Sequence, residues 1–314
     1  MKLFGGSFKK IPTKDFTPDD LPENRWKLLW DVIKSNLWKL VTLNWLYLLF
    51  LIPTIFVTGL YIVFAYQLYA KDSFFPRFIP YIADPYIFMP MGKSFFDMGV
   101  SVFDLIWDYL RILLITLVIA GPAKAGLYYC IRNLSWGEYS VDYSAFWKAF
   151  RANWKQGIFF NFLTGFVYIC VYLGIFFYGS KYYEAGNLIY LYALWLIVIV
   201  FVFYMMMKIF FFTQLVTYKL KVIQIIKNSF IFSVLQLIKV LPLALIPTII
   251  NLTGVPFGQF FFGVFVFTVC GFSFIALFNM TFSNYIFDKY LNDQVPGAIK
   301  RRGMRPLKTD KGKA

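Results

Sequence analysis

Three side-chain amides stand at matching places in an internal repeat and are the first candidates for a polar site. In each copy one amide is followed eight residues later by another, and the pairs are Asn36 with Asn44, Asn153 with Asn161 and, more weakly, Asn228 with Gln236. An amide at the edge of a hydrocarbon layer can hydrogen-bond across a helix interface and so select which helices pack together. We therefore expect Asn44, Asn161 and Gln236 to join helices. The alternative is that they line a polar cleft.

Lys239 is the next candidate, because the apolar segment that follows it is short. From Val240 to Asn251 a helix covers about 18 Å, whereas the hydrocarbon core of a bilayer is about 30 Å thick. The span must then begin near Phe230 and draw Lys239 into the membrane, or form a shallow segment bent at its prolines. A lysine at that depth either snorkels to the surface or lines a cleft.

Gly121 and Pro122 lie together within another long apolar run. A glycine lets two helices approach closely, and a proline removes one backbone donor so that the helix can bend. Static close packing is the role we expect here, and a moving hinge is the alternative.

A polar face precedes that run. Asp104, Asp108 and Arg111 are spaced by four and three residues, so a helix places them on one side. Acids at a helix start and an Asp108–Arg111 pair account for the pattern. The alternative is an outer surface of carboxylates and aromatic rings suited to sugar hydroxyls. Its aromatic members would be Phe78, Tyr81 and Tyr86.

The residues that usually carry catalysis and bind metals are scarce. The chain contains no histidine, which excludes imidazole bases, histidine metal ligands and Ser-His-Asp triads. No GxSxG motif or glycine-rich phosphate loop is present, and the three cysteines stand singly in apolar segments without CxxC spacing. We therefore expect no enzymatic activity, no cofactor, no metal site and no disulfide.

The elements that carry these residues are long apolar segments separated by basic turns. Hydrophobic residues make up 60% of the chain and the mean hydropathy is +0.63, which indicates a membrane protein rather than a water-soluble one. About 20 apolar residues suffice to cross a bilayer. Six segments qualify, one of them interrupted by polar residues, and they are Leu40–Tyr66, Leu105–Cys130, Gly157–Phe177, Leu188–Phe212, Phe230–Asn251 and Phe257–Phe278.

The net charge of +15 is distributed unevenly between the two sides of these segments. Alternating assignment puts 25 of the 31 Lys and Arg residues on the side that carries both termini. Cytoplasmic loops carry such an excess, so we expect a multi-pass protein of the cell inner (plasma) membrane with both termini in the cytoplasm. The basic tail is expected to contact anionic lipid head groups. Nucleic acid is not an expected partner, because no recognition pattern accompanies the charge.

An all-α integral membrane fold follows from these patterns. We expect six transmembrane helices arranged as three hairpins, each preceded by a cytoplasmic amphipathic helix. Residues 1–39 would form a cytoplasmic segment with the first interfacial helix, 40–285 the transmembrane domain and 286–314 the basic tail. A proline-rich extracellular cap is expected at 67–103. The amphipathic runs are Trp26–Lys39, Ser144–Gln156 and Leu220–Phe232.

The segment from Gly121 to Glu138 carries a resemblance to a known family. It contains Gly-Pro-Ala at 121–123, Leu-Tyr-Tyr at 127–129, a basic Arg132 and Gly-Glu at 137–138. In this it resembles the YesL-like family of bacterial integral membrane proteins, a family of unknown function. The similarity continues from Phe146 to Gln156. Members of that family have little between the first span and the Gly-Pro-Ala motif, so the cap looks like an insertion.

The resemblance implies a non-enzymatic accessory or regulatory membrane subunit associated with a carbohydrate ABC importer. Genes of the family tend to lie near carbohydrate-uptake genes in Gram-positive bacteria, and the implied partners are the importer's permease, ATPase or saccharide-binding protein. Two alternatives belong to other classes. One is a small-solute or lipid transporter with a central cleft, and the other is a membrane-protein insertion or assembly factor.

Overall fold

The computed structural model of the protein describes residues 21–69, 102–138, 143–252, 267–295 and 297–305. All regular elements within these ranges are helices. They are α1 (Arg25–Tyr69), α2 (Val102–Ser135), α3 (Tyr143–Ala152), α4 (Trp154–Ala185), α5 (Leu188–Thr217), α6 (Val222–Leu235), α7 (Leu237–Leu252), a π-helical turn (Phe267–Gly271) and α8 (Phe272–Tyr290). The predicted cap, including Phe78, Tyr81 and Tyr86, lies outside the described residues except at its two ends.

Five helices in the described part of the chain are long and apolar enough to cross a membrane. α6 and α7 qualify only as a pair, and they meet at an angle of 106°. The structure thus has the all-helical architecture of a multi-pass membrane protein that the sequence predicts, with five spans, or six if the bent pair is one broken span. The five single spans are Arg25–Val63, Asp104–Ser135, Trp154–Ala185, Leu188–Thr217 and Phe267–Tyr290.

One end of the bundle collects basic residues. Arg25 at the start of α1 contacts Asp288 near the end of α8, and Arg132 near the end of α2 donates to the carbonyl of Val216 in α5. We call this end, with Arg25, Arg132 and the chain after Tyr290, the basic end. α1 and α4 leave it, and α2, α5 and α8 return to it. α2 is central, because it packs against α1, α3, α4, α5 and α8.

Three residues interrupt helical geometry where a short helical segment meets a longer one. Asn36 inside α1 has φ −128° and ψ 26°. Asn153 between α3 and α4 has φ −114° and ψ 15°, and Gln236 between α6 and α7 has φ −124° and ψ 30°. The three conformations are close to one another, so the chain breaks in the same way at each point. The predicted boundary at 39/40 therefore falls inside α1, just after its break.

These breaks show the register of the repeat. The residues four positions after the breaks are all buried, and they are Leu40, Gly157 and Val240. Those eight positions after the breaks are also buried, and they are Asn44, Asn161 and Ala244. Gln236 therefore corresponds to Asn36 and Asn153, so the third copy is shifted by eight residues from the alignment that the sequence predicts. The bend of the fifth apolar segment lies at Gln236 and not at a proline.

The buried core is built around the half of α2 that approaches the basic end. Ala123, Cys130 and Leu134 of α2 are fully buried there, as is Phe146 of α3. A Cβ added at Gly126 would meet the Phe146 ring at 2.9 Å, so the missing side chain is what lets α3 lie against α2. α5 instead exposes large apolar side chains along its other half, as a helix facing lipid does. They include Trp195, Leu196, Ile199 and Val200.

Candidate functional site

Asn44 is buried between α1 and the π-helical turn that precedes α8. Its Nδ2 donates to the carbonyls of Phe267 at 3.0 Å and Thr268 at 2.9 Å. Its Oδ1 accepts from the backbone N–H groups of Phe272 at 2.9 Å and Ser273 at 3.2 Å. A π-helical turn takes backbone groups out of the regular helical ladder. This one amide supplies partners for four such groups.

The other two amides each make one bond between helices. Asn161 Nδ2 donates to the carbonyl of Leu117 at 2.8 Å, in the part of α2 where Pro122 removes a helical donor. Gln236 Nε2 donates to the hydroxyl of Tyr290 at 2.8 Å, which ties the α6–α7 break to the end of α8. The structure therefore places all three predicted amides at helix contacts.

Gly121 and Gly157 mark a very close approach of α2 and α4. A Cβ added at Gly157 would lie 2.8 Å from the carbonyl oxygen of Gly121, and one added at Gly121 would overlap the backbone of Gly157. Pro122 follows within α2, which continues as one helix to Ser135. The crossing brings two backbones into contact, as small residues permit in membrane helices.

Lys239 is exposed on α7. Its Nζ lies 3.4 Å from the hydroxyl of Tyr285 and 5.2 Å from the centre of the same ring. Such an exposed ammonium beside a ring is arranged as a snorkelling lysine is.

The acidic face of α2 has the pair that its spacing predicts. Asp108 contacts Arg111, and their side chains are 50% and 55% exposed. Arg111 also lies 5.3 Å from the centre of the Trp107 ring, and Asp104 is exposed in the first turn of α2. The aromatic half of the sugar-binding alternative lies outside the described residues, so that alternative stays a prediction.

A buried ion pair joins the elements of the basic end. Arg25 is 5% exposed, and its guanidinium contacts Asp288 through Nε at 3.1 Å and Nη2 at 2.8 Å. It also donates to the carbonyl of Arg302 at 2.8 Å. The second oxygen of Asp288 accepts from the Asn292 amide at 2.9 Å and from the N–H of Arg301 at 3.0 Å. The start of α1, the end of α8 and the tail thus meet around one carboxylate.

The tail after α8 folds back onto the bundle. Arg302 pairs with Glu138, and its guanidinium lies 4.2 Å from the centre of the Trp136 ring. The N–H of Arg305 donates to the carbonyl of Pro22 at 3.0 Å. These basic residues therefore contact protein groups. The predicted contact of the tail with lipid head groups stays a prediction, and the chain after 305 lies outside the described residues.

Tyr218 connects the α5–α6 turn to the same cluster. Its hydroxyl donates to Oδ1 of Asn292, and its ring lies 5.3 Å from that of Phe287. Burial raises the pKa of Tyr218, the Asp288 carboxylate adds to the rise and Arg25 opposes it. The phenol therefore stays neutral at physiological pH and keeps the proton that it donates to Asn292.

A groove of about 670 Å³ opens beside this cluster, between the break at Asn153 and the α5–α6 turn. Arg132 is held in it by two rings, at 4.1 Å from the centre of Tyr129 and 4.4 Å from that of Trp136. Its three cationic lining residues are Arg132, Lys155 and Lys219. A concave surface of this charge favours anionic partners.

Two lysines lie inside the spanning helices, and sequence analysis missed them. Lys124 belongs to the span Asp104–Ser135 and Lys208 to the span Leu188–Thr217, whereas the charge count had included Lys208 among the 25 residues of the basic side. Lys124 Nζ lies 4.6 Å from the centre of the Phe212 ring. Phe212 follows Lys208 by one turn of α5. In the described part of the chain, no carboxylate forms an ion pair with either lysine.

Hydroxyl groups accompany Lys208 on its α4 side. Its Nζ donates to the hydroxyl of Tyr168 at 2.9 Å, and the hydroxyl of Tyr204 donates to Oγ1 of Thr164 at 3.0 Å. Thr164 and Tyr168 are one turn apart on α4, and Tyr204 and Lys208 are one turn apart on α5. These four residues lie together at the α4–α5 interface, and we call them the polar row. Ionisable groups inside a membrane are costly and usually functional. A single lysine in the 30 residues of α5 is the signal that could have identified this site from sequence.

The thiols and the possible metal ligands of the described residues do not form a cluster. Cys130, Cys170 and Cys270 form no disulfide within the described residues. No group of His, Cys, Asp or Glu that could hold a metal ion occurs among the residues that the structure describes.

Residues 100–175 match the family model described as a protein of unknown function, DUF624. The matched segment contains α2, α3 and most of α4, and with them the crossing of Gly121 and Gly157. It agrees with the resemblance to the YesL-like family, since both rest on the region around the Gly-Pro-Ala motif. No curated protein and no solved structure matches the chain.

Proposed function

We propose that the protein is a non-enzymatic accessory or regulatory membrane subunit that docks on a partner through its basic end. The resemblance to the YesL-like family supports a carbohydrate ABC importer as that partner, through its permease, ATPase or saccharide-binding protein. The protein would lie in the plasma membrane with its basic end in the cytoplasm, as the excess of Lys and Arg favours.

The observation that carries the proposal is the ion pair of Arg25 and Asp288. It fixes α1, α8 and the tail in one arrangement through contacts of 2.8–3.1 Å. A surface that is rigid before binding loses less conformational entropy when a partner docks. The basic end is therefore suited to recognition, and this ordering supports a docking role.

We assign the docking face to α3 and the start of α4. Trp147 and Trp154 are 40% and 47% exposed there. Trp147, Lys148 and Arg151 line an open depression of about 830 Å³. Aromatic and arginine side chains contribute much of the binding energy at protein interfaces, so these residues are the ones that we expect a partner to contact.

The proposal includes six spans in three hairpins, each entered through a short cytoplasmic helix. α5 and α8 both run towards the basic end, as the bond between Tyr218 and Asn292 shows. Two successive spans in one direction require the chain between them to cross the membrane once. The bent pair α6 and α7 starts that crossing, and this supports counting it as the fifth span.

The proposal can be tested by affinity purification in a gentle detergent from the native membrane. Wild-type protein should retain an importer ATPase and permease. The double variant Lys148→Glu/Arg151→Glu should lose them, because it reverses the charge of the assigned face. Lys181→Glu, at the opposite end, is the matched control and should retain both. Absence of importer subunits from the wild-type sample, or equal retention by both variants, would contradict the proposal.

A small-solute transporter is the second candidate, and the polar row along α4 and α5 favours it. Lys208, Tyr168 and Tyr204 place polar groups inside the membrane, where a passing solute could bind. Uptake into proteoliposomes tests this candidate. Proteoliposomes that contain the wild-type protein should accumulate the solute, and those that contain Lys208→Met should not. Equal uptake by both would exclude a role for the polar row.

A further inference from the structure

Lys124 and Lys208 are level with each other on neighbouring parallel helices. Arg132 of α2 donates to the carbonyl of Val216 in α5, which lies 84 residues later in the chain. One turn earlier on each helix, the ring of Tyr128 contacts that of Phe212, and these two residues are also 84 apart. That offset also pairs Lys124 with Lys208. Both residues belong to helices of spanning length, so α2 and α5 bring two ammonium groups to one depth inside the bundle.

The lysine pair lies well below the basic end. Lys124 precedes Arg132 by eight residues, or about 12 Å of helix. Helical side chains lean towards the N-terminus of their own helix, and α5 starts at the opposite end, so Lys208 extends still further from the basic end. The backbone of its partner Tyr168 lies about 21 Å along α4 from Trp154, and because α4 leaves the basic end, the Tyr168 side chain leans back towards it. The two side chains therefore meet inside the bundle, away from the nearer head-group layer.

We propose that Lys124, Lys208 and the hydroxyl of Tyr168 bind a small monovalent anion of the halide class within the membrane. Two like charges at one depth repel each other, and a bound anion offsets that repulsion because it attracts both of them. Tyr168 accepts from Lys208 at 2.9 Å, while its own proton faces Sδ of Met205 at 3.9 Å. A thioether is a weak acceptor, so this O–H can turn to an anion.

The apolar neighbourhood favours an anion of low charge. Phe212 lies against Lys124 and Met205 against Tyr168, so much of the lining is apolar. Removing an anion from water is costly, and the cost grows with its charge. A halide carries one charge and needs no directed set of donors, whereas sulfate or phosphate brings a second charge and more oxygens to satisfy. The proposed ligand is independent of the docking function, because it binds to the isolated protein.

Thermal unfolding of the purified wild-type protein in a neutral detergent tests the site. Sodium gluconate is replaced stepwise by sodium chloride or sodium bromide at constant ionic strength and pH. We expect Tm to rise and saturate with either halide, because a ligand that binds the folded state stabilises it. The variant Lys124→Met/Lys208→Met should need at least about tenfold more halide for the same response. Lys239→Met removes an exposed lysine and should respond as the wild type does.

Three outcomes would overturn the proposal. They are equal Tm in gluconate and halide, an unchanged halide response in the double variant, and a rise in Tm with vesicles of anionic lipid but not with halide. The last would assign the lysines to lipid head groups instead. Bromide-soaked crystals of the wild type give a second measurement that does not depend on the folding of the double variant. An anomalous peak beside the two Nζ atoms supports the site, and its absence there at saturating bromide contradicts it.

Discussion

Asn44 links α1 to α8 through the backbone of a π-helical turn, and its position shows what an amide can do inside an apolar bundle. All of its donor and acceptor groups are used, at 2.9–3.2 Å. Spacing along the chain identified Asn44 and Asn161 as helix-joining candidates. It did not identify their partners, because these are backbone carbonyls and N–H groups of distant helices, which every residue possesses and which no residue type marks.

We predict that Asn44→Leu lowers the free energy of unfolding by about 2–4 kcal/mol, because several buried backbone groups lose their partner. Asn161→Leu removes one bond to Leu117 and should cost about 1 kcal/mol. Reversible unfolding of the purified variants in mixed detergent micelles gives both values. Equal costs for the two substitutions would show that the π-helical turn does not depend on Asn44.

A second prediction compares two ion pairs of different burial. Asp288→Ala leaves the guanidinium of Arg25, 5% exposed, without its carboxylate, and should cost about 3–5 kcal/mol. Asp108→Ala removes the exposed pair with Arg111 and should cost less than about 1 kcal/mol. The same unfolding measurement applies to both. A small effect at Asp288 would mean that water reaches Arg25 and that the basic end is not a fixed platform.

At the scale of elements, the broken helix is the repeated unit. Sequence spacing found two copies correctly, because Asn36 and Asn153 each precede a second amide by eight residues. It misaligned the third copy, because the residue eight positions after Gln236 is Ala244 and not an amide. What the copies share is a break followed by buried positions, and burial depends on neighbouring helices. The residue types of one segment do not record it.

The crossing of α2 and α4 leads to a third prediction. Gly121→Ala and Gly157→Ala each place a Cβ against the backbone of the other helix, which no side-chain rotation relieves, so each should cost about 1–3 kcal/mol. Gly59→Ala is the matched control. Apart from the adjacent turns of its own helix, nothing in the described part of the chain lies within 4 Å of its added Cβ, so it should be neutral or stabilise α1 by up to about 1 kcal/mol. If Gly121→Ala unfolds as the wild type does, the helices have room to separate and the crossing is not a fixed contact.

For the whole molecule, hydropathy located five helices of spanning length, because crossing a bilayer requires a length of apolar helix that a sequence displays directly. The fifth of the six predicted segments is the bent pair α6 and α7. The sides were assigned from charge, and the count of 25 basic residues grouped Lys208 with the loops of the basic side. Lys124 was outside that count, and its place within a long apolar helix was not used. Only the direction of Lys208, shown by its bond to Tyr168, reveals that it extends into the bundle.

Cysteine labelling in intact cells tests orientation directly. Glu184 and Asp293 are 61% and 63% exposed and lie at opposite ends of the bundle. In a background with the three native cysteines replaced by serine, a membrane-impermeant maleimide should label Glu184→Cys but not Asp293→Cys, because the basic end is expected in the cytoplasm. Permeabilised cells are the control, and both variants should react there.

Gly254→Cys, beyond α7, should react from outside if the bent pair is a true fifth span. Labelling of Asp293→Cys alone would reverse the orientation, and protection of Gly254→Cys with labelling of Glu184→Cys would leave α6 and α7 as a re-entrant pair.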